Sequence, residues 1–96
     1  MNYKVVIVDE AKFDFREALK HYKNINPKLS RRFNHSFKES LKIIKEKPEL
    51  FQIRFKDVRI KVFKTFPYLI HYTIYEDLIV IKAILHSSRN SKLNRF

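Results

Sequence analysis

Residues 68–86 read YLIHYTIYEDLIVIKAILH. Two runs rich in Ile, Val, Thr and Tyr flank Glu76 and Asp77, and such side chains favour a pleated backbone. A pair of polar residues between them makes a tight hairpin turn. The stretch therefore predicts antiparallel strands over Tyr68 to Tyr75 and Leu78 to His86. A third strand, Val58 to Lys64, comes just before, with a break at Pro67. That connection is also too short for a crossover, so it too is antiparallel.

Side chains alternate faces along a strand. On the last strand Ile79, Ile81, Ala83 and Leu85 share one face, and Leu78, Val80, Lys82, Ile84 and His86 the other. On the middle strand Ile70, Tyr72 and Ile74 form the core set, with Leu69, His71 and Thr73 opposite. On the first, Val58, Ile60 and Val62 oppose Arg59, Lys61 and Phe63. The expectation is one face packed on helices and one open face. That open face presents Arg59, Lys61, His71, Lys82 and His86, with Arg89 just beyond its edge.

The helices lie upstream. Tyr3 to Val8 is a valine-rich strand, apolar on both faces and so expected to be central or largely covered. Asp9 suits an N-cap and Glu10 a first turn. Ala11, Phe15, Ala18, Leu19 and Tyr22 then recur at helical spacing, to about Lys23, with Phe13 off that stripe. Asn26 can cap a second helix with Pro27 at its first position. Leu29, Phe33, Phe37, Leu41 and Ile44 form its stripe, and it ends near Glu46, because Lys47 precedes Pro48. The short connection makes the pair an antiparallel hairpin. Residues 48–57 read as irregular, and Leu50, Phe51, Ile53 and Phe55 are expected to hold them on the body. The fold class is α+β, in one domain over residues 1–96.

Composition narrows the function. There is no cysteine, which excludes disulfides, thiolate metal sites and thiol catalysis and favours the cytoplasm. Glycine is absent, so no glycine-rich phosphate loop is possible, and turns are expected to use Pro, Asn, Asp or Ser. No apolar run reaches the ~18 residues of a membrane span, and the amino terminus does not read as a signal peptide. Twenty-one Lys and Arg face ten Asp and Glu, a formal net charge of +11, which implies an anionic partner.

The expected basic face is the first site candidate. Lys and Arg neutralise phosphates, Phe63 could stack on bases, and His71 or His86 could move a proton near neutral pH. The alternative is an ordinary solvated sheet face. His21, His35, His71 and His86 lack the spacing of metal ligands, so no metal is expected, and nothing calls for a cofactor. Ser87 and Ser88 beside His86 have no orienting acid. Glu76 and Asp77 are turn residues. Phe13, Tyr22 and Tyr75 are candidates for a partner groove.

At this point the chain resembles the RelE/ParE superfamily of toxins from bacterial type II toxin–antitoxin modules. The resemblance rests on YKVVIVDEAKFDFREALKHY (3–22), on residues 48–90 from PELFQIRF to LHSSRN, and on the helix hairpin between. The closing stretch is similar to the ParE-type pattern of His, two small hydroxyl residues, Arg, then Asp-Pro. It reads His86, Ser87, Ser88, Arg89, Asn90 and Ser91, departing at the last two positions and again at Asn94, where such chains often carry Trp.

The resemblance implies a strand, a two-helix hairpin and three antiparallel strands, with the helices on one face of a small sheet. It implies a plasmid stabilisation-type toxin whose acidic, amphipathic antitoxin folds on binding and is encoded next door. RelE-like members cut messenger RNA on the ribosome without metal, using an arginine near the start of the middle strand and a tail tyrosine or histidine. Here Pro67, Tyr68 and Leu69 stand at that start, and no tyrosine follows Arg89. ParE-like members bind DNA gyrase, and the chain leans that way. Target contacts would then come from Arg59, Lys61, Lys64, His71, Lys82, His86 and Arg89, and antitoxin contacts from Phe13, Tyr22 and Tyr75. The RNA-cleaving alternative would use His86, Arg89, Arg59 and Lys61. A third reading is an inactive relative that only binds its antitoxin or DNA.

Overall fold

Each helix buries the stripe that its spacing marks. The computed structural model describes residues 2–88. In chain order these are β1 (Lys4–Ile7), α1 (Asp9–Ile25), α2 (Pro27–Glu46), β2 (Ile53–Phe55), β3 (Val58–Val62), β4 (Tyr68–Tyr75) and β5 (Leu78–His86). On α1, Ala11 and Ala18 are buried, with Phe15, Leu19 and Tyr22 packed against the core. On α2, Phe33, Phe37 and Ile44 are buried, joined by Ser36 and Ser40. Phe33 is the hub. Its ring stacks on Phe63 at 4.8 Å and meets Tyr68, Phe66 and Tyr22 at 5.0, 5.3 and 5.4 Å.

The turn between the helices follows the sequence closely. The Asn26 side chain accepts the Lys28 N–H at 2.9 Å, and Pro27 opens α2. The start of α1 differs. Its N-cap is Val8, which caps with no side chain, and Asp9 is the first helical residue. Asp9 and Glu10 both lie in the first turn, where they complement the helix dipole. The helix also runs two residues past Lys23.

The sheet has the order β1-β5-β4-β3-β2, so the first strand lies at an edge. It pairs in parallel with β5, Val5 opposite Ile79 and Ile7 opposite Ile81. The expectation of a central or covered strand is thus corrected. Val5 and Ile7 face the core, while Val6 is 44% exposed. At the other edge β2, unforeseen, pairs with β3 through an irregular register. The segment expected to be held on the body packs Phe51 against the core as expected, but exposes Leu50 at 65% and Ile53 at 47%. The left-handed turn positions fall on Lys56, Thr65 and Glu76, in turns that also hold Asp57, Pro67 and Asp77.

Strands β4 and β5 have the expected bounds, but their ladder carries a bulge. Pairing runs Tyr72 to Ile81 and then His71 to Ala83, leaving Lys82 as the extra residue. A bulge switches the faces of everything beyond it. Ile79 and Ile81 point to the helices as expected; past Lys82 it is Ile84 and His86 that do so, and Ala83 and Leu85 turn away. On β3, Arg59 and Lys61 lie across from Tyr72 and Ile70, hence on the helix side. Val58 and Ile60 share the far face with Leu69, His71, Thr73, Ala83 and Leu85, and all seven are buried.

Candidate functional site

The bulge decides where His86 goes. Strand β1 ends at Ile7, and the Val8 N–H still reaches the Ile81 carbonyl at 3.2 Å. Beyond that point the outer edge of β5 is covered by α1. The Ile84 N–H donates to the Asp14 carboxylate at 3.0 Å, so an acid on the helix completes the ladder of the strand. His86 stands opposite Tyr68, ring edge to ring face at 5.3 Å between centroids. These residues open onto a cleft of about 480 Å³ whose helix wall carries Phe13, Asp14, Glu17 and His21.

The His86 ring is held from below. Its Nδ1 accepts the Ser88 N–H at 3.1 Å and lies 2.9 Å from the Ser88 hydroxyl. A nitrogen that accepts a backbone N–H carries no proton of its own, so the proton of the neutral ring is on Nε2. Ser88 thus orients the histidine through its backbone N–H, with its hydroxyl at the same nitrogen. Among the described residues no Lys or Arg lines this cleft.

The other expected site residues lie elsewhere. The Arg59 guanidinium donates to the carbonyls of Phe51 at 2.7 Å and Glu49 at 3.2 Å, bracing the segment between α2 and β2. Beside it the buried Tyr72 hydroxyl donates to the Pro48 carbonyl at 2.6 Å. Burial pushes that phenol up to about 12, against a smaller opposing pull from Arg59. The Lys61 ammonium sits 5.3 Å from the Phe51 ring centroid and donates to the Val62 carbonyl, and burial lowers it below the usual lysine value. His71 is fully buried on the far face. Lys82 is the half-buried bulge residue, and Lys64 is exposed beyond β3.

The expected open basic face is therefore not formed. From the register, His86 and Arg59 are two strands apart and four residues along β4, roughly 16 Å between Cα atoms. Lys61 is about 12 Å from His86 by the same reckoning. Arg89, and the tail positions Asn90, Ser91, Asn94 and Lys92 to Phe96, lie outside the described residues. The groove candidates also separate. Phe13 is 54% exposed at the His86 cleft, and Tyr22 packs among Phe33, Phe66 and Tyr68. Tyr75 is 67% exposed at the far end of β4, roughly 23 Å along the strand from Tyr68.

One cluster was not singled out from the sequence. Lys28, Arg31, Arg32 and His35 from α2 meet Lys64 of the β3–β4 turn around a groove of about 580 Å³. The basic residues of the helix recur at i, i+3, i+4 and i+7, which was legible; that Lys64 closes the other wall was not. The Ser36 hydroxyl fixes that wall by donating to the Lys64 carbonyl at 2.9 Å. Among the described residues no three His, Asp or Glu side chains gather as metal ligands.

A family model described as the ParE toxin of type II toxin–antitoxin system, parDE, matches residues 5–91. The chain belongs to the ParE toxin family. This ParE-family chain is also similar to a solved structure described as the chromosomal ParDE TA system from P. aeruginosa. The TM-score is 0.75 at 17% identity, over 88% of this chain and 95% of that one. That likeness concerns the fold, an α+β arrangement of RelE/ParE type with two helices on a five-stranded sheet. No curated protein matches the chain. Membership of the family makes the protein a toxin of a type II module and implies an antitoxin partner. No helix among the described residues is long and apolar enough to cross a membrane.

Proposed function

We propose that this ParE-family toxin arrests growth in the cytoplasm by binding DNA gyrase, and that a cognate acidic antitoxin neutralises it. The observation that carries the reading over RNA cleavage is the surroundings of His86. Metal-independent cleavage of a phosphodiester needs a cation on the phosphate and a proton donor within hydrogen-bond reach. Among the described residues the histidine faces a cleft walled by Asp14 and Glu17 with no Lys or Arg beside them, which disfavours phosphate. Arg59 and Lys61 stand on another strand, engaged with residues 49–51 and 62. In this reading His86 is a contact residue at the end of β5, with Arg89 following it. The excess of positive charge suits an acidic antitoxin segment.

The test is a short induction of the chain alone in a bacterial host, with RNA 5′ ends and DNA breaks mapped from one culture. Gyrase-linked breaks with intact messages are expected, and co-expressed antitoxin should abolish them. New message ends within translated codons would overturn the gyrase reading. Unchanged growth would mark an inactive relative.

A further inference from the structure

We propose that the groove between α2 and the β3–β4 turn is a docking site for the sugar–phosphate backbone of double-stranded DNA. The proposal goes beyond gyrase binding, since it gives the toxin a DNA contact of its own. Lys28, Arg31 and Arg32 form one wall and Lys64 the other. The acid at the rim, Glu39, is held by His35, Nε2 to Oε1 at 3.0 Å. Four permanent cations therefore converge on one groove with a single, already engaged, carboxylate. Two adjacent arginines offer planar forks that match phosphate oxygens.

The residue types of the lining favour phosphate over an acidic polypeptide. An amphipathic acidic helix docks through apolar anchors at helical spacing. This groove has one apolar residue, Phe66, and its ring is already packed on Phe33 and Tyr22. The rest is charged or hydroxyl-bearing, and neither hydroxyl is idle: Ser36 and Thr65 both donate to the Lys64 carbonyl. A backbone strand of phosphates needs cations and no apolar pocket. With no base-reading element inserted, the contact is independent of sequence.

The experiment measures binding of the purified full chain to a labelled duplex between 50 and 200 mM salt. Four phosphate contacts predict a roughly 150-fold loss of affinity across that range. The Arg31→Gln/Arg32→Gln variant should show only about a 12-fold loss. Lys42→Gln/Lys45→Gln removes the same charge from the exposed far end of the same helix and should keep the steep dependence. Equal flattening in both variants would reduce the effect to net charge and overturn the proposal. So would steep salt dependence surviving in Arg31→Gln/Arg32→Gln. Binding of polyglutamate, but not of duplex, at Arg31 and Arg32 would assign the groove to an acidic protein segment and overturn it too. Gyrase inhibition is assayed separately on the same preparations, so loss of either reading leaves the other standing.

Discussion

Replacing Arg59 by alanine should weaken the fold and leave toxicity per folded molecule unchanged. The Arg59 guanidinium is committed to main-chain carbonyls. It donates to Phe51 O at 2.7 Å in a partly buried setting and to Glu49 O at 3.2 Å at the surface. A hydrogen bond from a charged donor contributes about 1.5–3 kcal/mol where water is excluded and much less where water can replace it. Taking the lower end for the first bond and a small fraction for the second gives about 2 kcal/mol. A chain of this size has a total stability of about 5–14 kcal/mol, so the loss is a sizeable share.

The assay is urea unfolding followed by far-ultraviolet circular dichroism. With a slope near 2 kcal/mol/M, the midpoint of Arg59→Ala should fall by about 1 M. Tyr72→Phe releases the same segment at Pro48, so the two changes should couple by at least ~0.5 kcal/mol in a double-mutant cycle. An unmoved midpoint together with lost toxicity would refute the argument and place Arg59 on the target surface.

Two further outcomes follow from the core. The Tyr72 phenol ionises near 10 when unfolded but only at about 12 when folded, so its protonated form favours the native state. That contribution is complete below pH ~10 and is lost as pH rises toward ~12, amounting to roughly 2–3 kcal/mol, and it should be missing from alkaline urea titrations of Tyr72→Phe. Phe33→Ala removes the ring on which Phe15, Tyr22, Phe63, Phe66 and Tyr68 converge, and should cost about 3–5 kcal/mol in chemical unfolding. A loss under ~1.5 kcal/mol would mean that the aromatic cluster closes over the gap.

The elements that were legible in the sequence are those fixed by local chemistry. Asn26-Pro27 set the helix boundary, because the Asn26 side chain and the proline ring act within one turn. The hairpin was legible because two polar residues interrupt two β-branched runs. Strand β1 was misjudged because Tyr3 to Val8 is apolar on both faces whether the strand is central or at an edge. Its place depends on β5, more than seventy residues away, and no local pattern reports that pairing. Strand β2 was invisible for a related reason: three residues joined to β3 across an irregular register carry no period.

The site was less legible than the fold, and one residue accounts for much of the difference. Lys82 interrupts the run from Leu78 to Leu85 without the glycine or proline that would flag a bulge. Strict alternation sends Ala83 and Leu85 to the core and His86 to the open face. The bulge reverses this and seats Ile84, far larger than Ala83, against the helices. The volume preference was present in the sequence, since Ile79, Ile81 and Ile84 are the bulky set, spaced by two and then three. The same reversal puts His86 on the helix side of the sheet, which Arg59 and Lys61 also occupy, but beside Asp14 and Glu17 of α1. On β3 the error had another source, the assumption that charge marks the solvent side. Arg59 and Lys61 lie on the helix side because their long stems cross apolar surface while their heads find carbonyls at its margin. Lys28, Arg31, Arg32 and Lys64, by contrast, converge on a groove of their own. That groove adjoins the end of the sheet where His86 lies, since Phe66 lines it and the Ser87 N–H donates to the carbonyl of the next residue, Pro67, at 2.7 Å.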